Sequence, residues 1–331
     1  MFIVAFVYFR FITGTDTDEE PAKSYSRYYA MVTDDHRSSF WQYVWNGAQE
    51  VAEKNDAYVE LFGSNLSYDY TAQELMEMAI SAKVDGIMVY GGDQEELRAL
   101  IDEAVQKGIP VVTMYSDITE SGRCSYVGVS GYNIGLEYGR QILSAKSEME
   151  RLAGETQEAA KTSYNVAVLV EEKKSLYDQN VILSGIKDSL EREEAEEEFI
   201  IRTVAVDNSN PFSAEEAIRD IFMGEDIPDI MVCLSELDTT CAYQAVIDFN
   251  LVGSVYILGY YNSEKILNAI SRSVVYSSLA VDTQELGRYS FEALNEYIAT
   301  GNTSQYFTAD VTIIDRNNVA EFLKKEEPDE K

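Results

Sequence analysis

The chain has 331 residues, of which 46% are hydrophobic, and its formal net charge is −32 at pH 7. This length is enough for two ordinary domains, and the hydrophobic content predicts a globular protein. Nucleic acids and anionic lipid surfaces attract cationic side chains, so the acidity argues against both as partners.

The N-terminal segment is apolar from Met1 to Ile12, apart from Arg10, and polar from Thr13 to Tyr25. Twelve apolar residues are too few to cross a hydrocarbon core of about 30 Å. We interpret residues 1–25 as the end of a membrane anchor or signal segment followed by a flexible tether, which would place the rest of the chain outside the cytoplasm. The alternatives are a hydrophobic N-terminus without a specific role and a strand at the edge of a lobe.

The first regular elements are a strand at Tyr28–Thr33 and a helix at Phe40–Lys54. Ser38 precedes this helix and suits an N-cap, where exposed backbone N–H groups can also bind a ligand oxygen. Phe40 and Trp41 are adjacent, so they cannot both lie on the same side of the helix. We therefore expect one ring to face the core and the other to face a cleft, with Trp41 as the favoured apolar floor.

A second strand at Tyr58–Gly63 and a helix at Ser67–Ser81 lead to a strand–helix–strand unit that runs from Val84 to Asp117. Two short apolar runs flank an amphipathic segment in this unit, which predicts parallel strands. Ligands of parallel sheets bind beyond the carboxyl ends of the strands. The segments Tyr90–Asp93 and Tyr115–Asp117 are therefore the first candidates for a site.

The same succession of elements returns about 140 residues later in the chain. The remaining predicted elements are a strand at Cys124–Ser130, a helix that ends at Leu143, a strand at Asn165–Val170, a helix at Asp178–Arg192, a strand from Pro228, a helix at Asp238–Asn250, a strand from Gly253, a helix at Glu264–Ser271, a strand at Val274–Ala280, a helix at Thr283–Thr300 and one final strand at Tyr306–Asp315. This repeat predicts two similar α/β lobes that face each other across a cleft.

Sequence motifs for cofactors and catalysis do not occur. No Gly-x-Gly-x-x-Gly follows the first strand, no phosphate-binding loop is present, and the segment around Ser130 lacks the spacing of a nucleophile elbow. The three cysteines, Cys124, Cys233 and Cys241, show no CxxC spacing, and His36 is the only histidine. We therefore expect no cofactor, no metal site built on His or Cys and no catalytic residue. A carboxylate-based cation site stays open in so acidic a chain, although no EF-hand loop pattern occurs.

Six short motifs occur in an order that resembles the type I periplasmic binding proteins for sugars, which are related to the effector domains of LacI repressors. They are Ser38-Ser39-Phe40-Trp41 with Asn46-Gly47-Ala48, Val84-Asp85-Gly86-Ile87-Met88-Val89, Ala104 with Lys107-Gly108-Ile109-Pro110-Val111-Val112, Tyr132 with Gly135 and Gly139, Gly185-Ile186, and Asp282-Thr283-Gln284-Glu285-Leu286-Gly287. The similarity covers residues 26–315.

This resemblance implies an α/β fold of two doubly wound parallel-sheet lobes joined by three crossings, near Ser130, Val281 and Phe307. The first lobe would comprise residues 26–130 and 283–307, and the second residues 131–282 and 308–324. Residues 325–331 would form an acidic tail.

Carried over by position, the resemblance implies a ligand site at the ends of the strands. Its members are Ser38, Phe40, Trp41, Tyr90, Tyr115, Ser116, Asp117, Asn180, Ser209, Ser235, Glu236, Tyr261 and Asp282. Relatives that bind pentoses and hexoses usually carry Asp-Arg where this chain has Tyr115-Ser116, Arg at Asn180, Asn-Asp at Ser235-Glu236 and Asp at Tyr261. The replacements offer neutral hydrogen-bonding groups and flat apolar faces.

The function implied by the resemblance is that of an extracytoplasmic solute-binding protein, not an enzyme. It would capture a small neutral hydroxylated ligand, a sugar or related polyol, by hinge closure, for an ABC importer or for sensing. A membrane permease or a sensor kinase would be its partner. One alternative is the effector domain of a transcription regulator, which requires a basic helix-turn-helix before the first lobe. The other is an enzyme on the same doubly wound fold.

Overall fold

The structure is a computed structural model that describes residues 24–90, 95–156, 161–172, 176–208, 210–224 and 226–326. Four predicted features lie wholly or partly outside the described residues: most of the expected tether, residues 91–93 of the first candidate segment, the candidate Ser209, and the acidic tail from residue 327. Within the described ranges, none of the helices combines the length and apolar character needed to cross a membrane.

The first lobe is built on a sheet of six parallel strands, with the order β11-β5-β4-β3-β1-β2. The strands are β1 (Arg27–Val32), β2 (Ala57–Leu61), β3 (Gly86–Tyr90), β4 (Val111–Met114), β5 (Ser125–Gly128) and β11 (Tyr306–Thr308). Its helices are α1 (Ser39–Lys54), α2 (Ala72–Ala82), α3 (Glu95–Gln106) and α9 (Thr283–Thr300).

The second lobe is built on a sheet with the order β12-β10-β9-β8-β6-β7, in which only β12 is antiparallel to its neighbour β10. The strands are β6 (Tyr164–Glu171), β7 (Phe199–Val206), β8 (Ile230–Val232), β9 (Tyr256–Tyr260), β10 (Ser277–Val281) and β12 (Val311–Asp315). Its helices are α4 (Gly131–Thr156), α5 (Leu176–Arg192), α6 (Pro211–Met223), α7 (Glu236–Asp248), α8 (Glu264–Ser271) and α10 (Val319–Glu326). The predicted fold class, two doubly wound α/β lobes, is confirmed.

Each lobe contains one pair of helices that cross at glycine. In the first lobe α1 packs on α9, where a Cβ atom added to Gly287 would lie 1.8 Å from the carbonyl oxygen of Val44. In the second lobe α4 packs on α5, where a Cβ added to Gly185 would lie 2.3 Å from the carbonyl oxygen of Tyr132. Real Cβ atoms do not approach oxygen this closely, so both crossings require glycine.

Two predicted helices differ from the structure by more than two residues at one end. The helix predicted from Ser67 begins only at Ala72, because Thr71 and Glu74 form a capping box that defines the N-terminus. The helix predicted to end at Leu143 continues to Thr156 and has 26 residues.

The prediction of a single strand at Tyr306–Asp315 is wrong. The segment forms two strands in different sheets: β11 pairs parallel with β5, and β12 pairs antiparallel with β10. Between them, Ala309 N donates to Gly128 O at 2.8 Å and Asp310 O accepts from Asp282 N at 2.9 Å. This stretch is therefore one of the places where the chain passes from one lobe to the other, beside the passages after β5 and after β10.

Candidate functional site

Side chains at the carboxyl ends of the two sheets meet each other. Tyr115, directly after β4, and Tyr260, the last residue of β9, place their hydroxyl oxygens 2.6 Å apart. The rings of Phe40 in α1 and Tyr261 after β9 also approach across the lobes, with centroids 5.8 Å apart. Because ligands of parallel α/β sheets bind at this edge, we take the meeting point as the candidate site.

An aromatic cluster occupies this meeting point, and we define it as Phe40, Trp41, Tyr90, Tyr115, Tyr260 and Tyr261. The Phe40 ring lies 4.9 Å from Trp41 and 5.1 Å from Tyr115, and Trp41 lies 5.0 Å from Tyr90. Edge-to-face and tilted contacts of this kind are favourable for aromatic rings. Four of the six rings belong to the first lobe, so that lobe supplies most of the apolar surface.

The two adjacent aromatics of α1 have different environments. Trp41 is 5% exposed and belongs to the core, and its indole Nε1 donates a hydrogen bond to Asp34 Oδ1 at 3.1 Å. Phe40 is half-buried and contacts both Tyr115 and Tyr261. Phe40 is therefore the ring that faces the cleft, and Trp41 lies beneath Phe40, Tyr90 and Tyr115.

Tyr115 and Tyr261 adopt left-handed backbone conformations, with φ of 61° and 80°. The N–H group of Tyr115 donates to Val127 O at 2.8 Å, and that of Tyr261 donates to Leu279 O at 2.7 Å. Such conformations cost about 1–3 kcal/mol in residues other than glycine, and they concentrate at functional sites. The same strain at equivalent ends of the two sheets supports a role for this edge in binding.

Burial keeps the phenols at the cleft in their neutral form. It raises the pKa of Tyr115, although the hydrogen bond with Tyr260 works in the opposite direction. The pKa of Tyr260 is raised well above its ordinary value, chiefly by burial. Burial also raises the pKa of Tyr138, whose hydroxyl donates to Cys233 O at 2.8 Å. These hydroxyls are therefore neutral donors and acceptors at physiological pH.

Asp117 and Ser116 follow Tyr115 but differ from it in their contacts. The Asp117 carboxylate is 17% exposed, forms an ion pair with Arg123 and accepts a hydrogen bond from Thr113 Oγ1 at 2.8 Å. Its charge is thus compensated within the first lobe. Ser116 is half-buried.

Two predicted site residues act as helix caps. The Ser235 hydroxyl accepts from Asp238 N at 3.0 Å at the start of α7, and Asn208 Nδ2 lies 3.5 Å from the same oxygen. The Asp282 carboxylate accepts from Glu285 N at 2.9 Å at the start of α9. Both caps satisfy a helix N-terminus next to the cleft.

The other predicted residues lie at the rim. Ser38 is half-buried at the N-terminus of α1, and its side chain makes no capping hydrogen bond. Glu236 and Asn180 are exposed, and Asn180 O accepts from the Ser184 hydroxyl.

Sequence reasoning missed four residues of this edge. Tyr260 is the residue that reaches Tyr115, although only its neighbour Tyr261 was proposed. Thr33 Oγ1, Asn208 Oδ1 and Ser263 Oγ are buried and have no hydrogen-bond partner among the described residues. All four follow or end a strand, so the rule that selected Tyr90 and Tyr115 could have found them.

The cysteines have the environment of packed thiols. Burial raises the pKa of Cys124 and of Cys241 to about 11, and Cys233 is fully buried. Thiols with such pKa values are weak nucleophiles and weak metal ligands at neutral pH. In the part of the chain that the structure describes, no group of three or more His, Cys, Asp or Glu side chains is arranged for a metal ion.

Solved structures of binding proteins are similar to this chain over nearly their whole length. A sugar-binding protein of a sugar ABC transporter from Bacillus halodurans matches with a TM-score of 0.75 and 19% identity, covering 90% of this chain and 100% of that one. GanP, a glucose-galactose binding protein from Geobacillus stearothermophilus, matches with a TM-score of 0.70 and 21% identity, covering 88% and 98%. A chain of the XylFII–LytSN complex matches with a TM-score of 0.65 and 25% identity, covering 90% and 99%.

Two sequence comparisons gave different results. No curated protein sequence matches the chain. The sequence model of the family described as periplasmic binding protein domain matches residues 29–303, which is most of the two lobes. The chain therefore belongs to the periplasmic binding protein domain family, and this membership implies a location outside the cytoplasm.

Proposed function

We propose that this protein is a solute-binding protein without catalytic activity that captures a small neutral hydroxylated ligand, a sugar or related polyol, between its lobes. The observation that carries the proposal is the aromatic cluster, to which both lobes contribute at the carboxyl ends of their sheets. Flat apolar rings with a few polar groups around them are the usual lining of small-molecule sites. The C–H faces of a sugar suit such rings.

The polar groups around the cluster support a neutral ligand. The buried oxygens of Thr33, Asn208 and Ser263 can each accept a hydrogen bond from a ligand hydroxyl. The Asp117 charge is compensated by Arg123, and the phenols are neutral. A charged ligand would find little compensation in these groups and would lose its hydration on entry.

We further propose hinge closure between rigid lobes with the boundaries expected from the sequence, residues 26–130 with 283–307 and residues 131–282 with 308–324. The three interlobe passages are short, and the last one is held to the other two by backbone hydrogen bonds at Gly128 and Asp282. Short connections of this kind permit a rotation of one lobe against the other.

Import and sensing are both compatible with this site, and they differ in the partner. Sugar-binding relatives of ABC transporters support a membrane permease as the partner. The chain of the XylFII–LytSN complex supports the second candidate, in which a membrane sensor receives the ligand-bound protein. In either case residues 1–25 would tether the protein to the membrane.

A thermal-shift screen tests the binding function. The purified protein is heated with arabinose, glucose, galactose and tagatose, which are named for structural relatives. A ligand at one hundred times its Kd adds about 2.7 kcal/mol to the free energy of unfolding. We expect a clear rise in Tm with at least one sugar or polyol. No rise with any of them, or turnover of a sugar that is lost on substitution in the cleft, would contradict the proposal.

Labelling of intact cells tests the location and the tether. Tyr68 is 75% exposed, so Tyr68→Cys introduces a reactive surface thiol. Among the native cysteines, Cys233 and Cys241 are buried, and Cys124 is half-buried with its pKa raised by burial to about 11, so all three react more slowly. A membrane-impermeant maleimide should label the variant before lysis and leave the unsubstituted protein unlabelled. Removal of residues 1–25 should release the labelled protein from the membrane fraction. Labelling only after lysis would place the domain in the cytoplasm.

A further inference from the structure

Tyr115 and Tyr260 meet in a direct contact between the lobes that sequence reasoning did not anticipate. The hydroxyl oxygens are 2.6 Å apart, which is the length of a strong O–H···O hydrogen bond. No ligand atom fits between two oxygens at this distance. A ligand that reaches this point from either side must therefore replace the bond.

The backbone holds both phenols in position. Tyr115 is the central residue of a tight turn in which Ser116 N donates to Met114 O at 2.6 Å, and its own carbonyl accepts from the Tyr126 hydroxyl at 3.0 Å. In the second lobe the Tyr260 N–H donates to Thr239 Oγ1 at 2.9 Å, which ties the end of β9 to α7. Each phenol is thus supported by its own lobe, and the hydrogen bond between the phenols links the two lobes.

A second pair of side chains reinforces this contact. The Phe40 ring lies 5.1 Å from Tyr115 and 5.8 Å from Tyr261, so apolar surface on both lobes is covered beside the hydroxyl pair. Burial strengthens the hydrogen bond, because water competes less well for the two hydroxyls in a low-dielectric environment.

We propose that Tyr115 and Tyr260 form a latch, a direct hydrogen bond that holds the two lobes together without a ligand and that an incoming ligand has to replace. The fraction of closed molecules then depends on the free energy of this hydrogen bond and on the preference of the hinge for the open form. Tyr260 is a specificity-determining residue, because only a ligand that makes a hydrogen bond to its hydroxyl replaces the free energy lost with the latch. The hydrogen bond itself concerns only contacts within the chain. Its replacement by a ligand rests on the proposed function.

Small-angle X-ray scattering of the ligand-free protein tests the latch. Tyr260→Phe and Tyr115→Phe each keep the ring and remove one hydroxyl. We expect the ratio of open to closed molecules to rise about fivefold in each variant, as follows from a neutral hydrogen bond of about 1 kcal/mol, and the radius of gyration to rise with it. The double variant should open no further than either single variant, because both substitutions break the same bond.

Tyr138→Phe is the matched control. Its hydroxyl is also buried, but it donates to Cys233 O and Gly259 O within the second lobe. We expect it to lower the Tm and to leave the radius of gyration unchanged. If one latch variant does not fold, the other still decides the question. Equal scattering of the wild type and both latch variants, or equal opening of the control, would overturn the proposal, whereas failure of the sugar screen would overturn only the binding function.

Discussion

Tyr115 in the first lobe and Tyr261 in the second occupy equivalent places, one residue beyond the fourth strand of each sheet, and both have a positive φ. Each carbonyl oxygen accepts a hydrogen bond from a hydroxyl group on the neighbouring strand. The donors differ, because the first lobe uses the phenol of Tyr126 and the second lobe uses Ser278 Oγ. In both lobes a hydroxyl thus satisfies the carbonyl of the strained residue, and the two lobes provide it with side chains of very different size.

The surroundings of the two turns also differ, in the size and polarity of the side chains. In the first lobe the Arg123 guanidinium lies 5.9 Å from the centre of the Tyr126 ring and pairs with Asp117, so the turn is part of an aromatic and ionic network. The second lobe instead has small polar groups near the cleft, among them Asn208 and Ser263. We therefore expect the first lobe to offer a ligand mainly apolar faces and the second lobe mainly hydrogen-bonding groups.

Trp41→Ala should have the largest effect on stability, because the indole underlies the whole aromatic edge of the first lobe. Trp41 is 5% exposed and bonded to Asp34, so we expect the free energy of unfolding to fall by about 3–5 kcal/mol. Urea denaturation measures this free energy of unfolding. Trp45→Phe keeps an aromatic ring and serves as the control, with a smaller loss. A stable Trp41→Ala protein with weakened ligand binding would instead make Trp41 a ligand contact and not a core residue.

The glycine crossings test whether the two lobes share their packing. Gly287→Ala in the first lobe and Gly185→Ala in the second would each place Cβ against a backbone oxygen, so both should lower the free energy of unfolding by about 2–3 kcal/mol. The matched control is Gly154→Ala, since a Cβ in that part of α4 meets nothing within 4 Å.

At Gly154 the substitution should raise stability by up to about 1 kcal/mol, because alanine is the better helix former. Thermal and urea unfolding of the three variants compare the two lobes directly. A loss in only one lobe would show that the crossings are not equivalent.

Phe40→Ala tests whether the first lobe makes the apolar contact with the ligand. Phe40 is the ring of α1 that contacts both lobes, so its removal should weaken the binding of any sugar found in the screen about tenfold, or about 1.4 kcal/mol. Isothermal titration measures the Kd. Tyr68→Ala removes an exposed ring from the same lobe and should leave the Kd unchanged. Unaltered affinity in a folded Phe40→Ala protein would mean that the apolar contact is made elsewhere.

The smallest effect is expected at the turns themselves. Tyr126→Phe and Ser278→Ala each remove the donor to the carbonyl of the strained tyrosine, and each should cost about 1 kcal/mol of stability. Similar losses would support the equivalence of the turns. A much larger loss for Tyr126→Phe would show that the phenol matters mainly through its contacts with neighbouring rings.

Local pattern was a good guide to the elements of this chain. The helices at Glu264–Ser271 and Thr283–Thr300 have the predicted bounds, because periodicity and the turn residues around them act within a few positions. The split of the last strand could not be predicted in this way. Its two halves have similar strand patterns, and the sheet that each joins depends on pairing with β5 or β10, far away in the sequence.

The sequence by itself determined the α/β class, the repeated lobes and most of the aromatic edge, since these follow from spacing along the chain. Only the tertiary structure decided that Phe40 and not Trp41 faces the cleft, and that Tyr260 and not Tyr261 meets Tyr115 across 145 positions of sequence. The physical reason is that contacts between lobes depend on how the lobes close, and no local pattern of residues specifies that geometry.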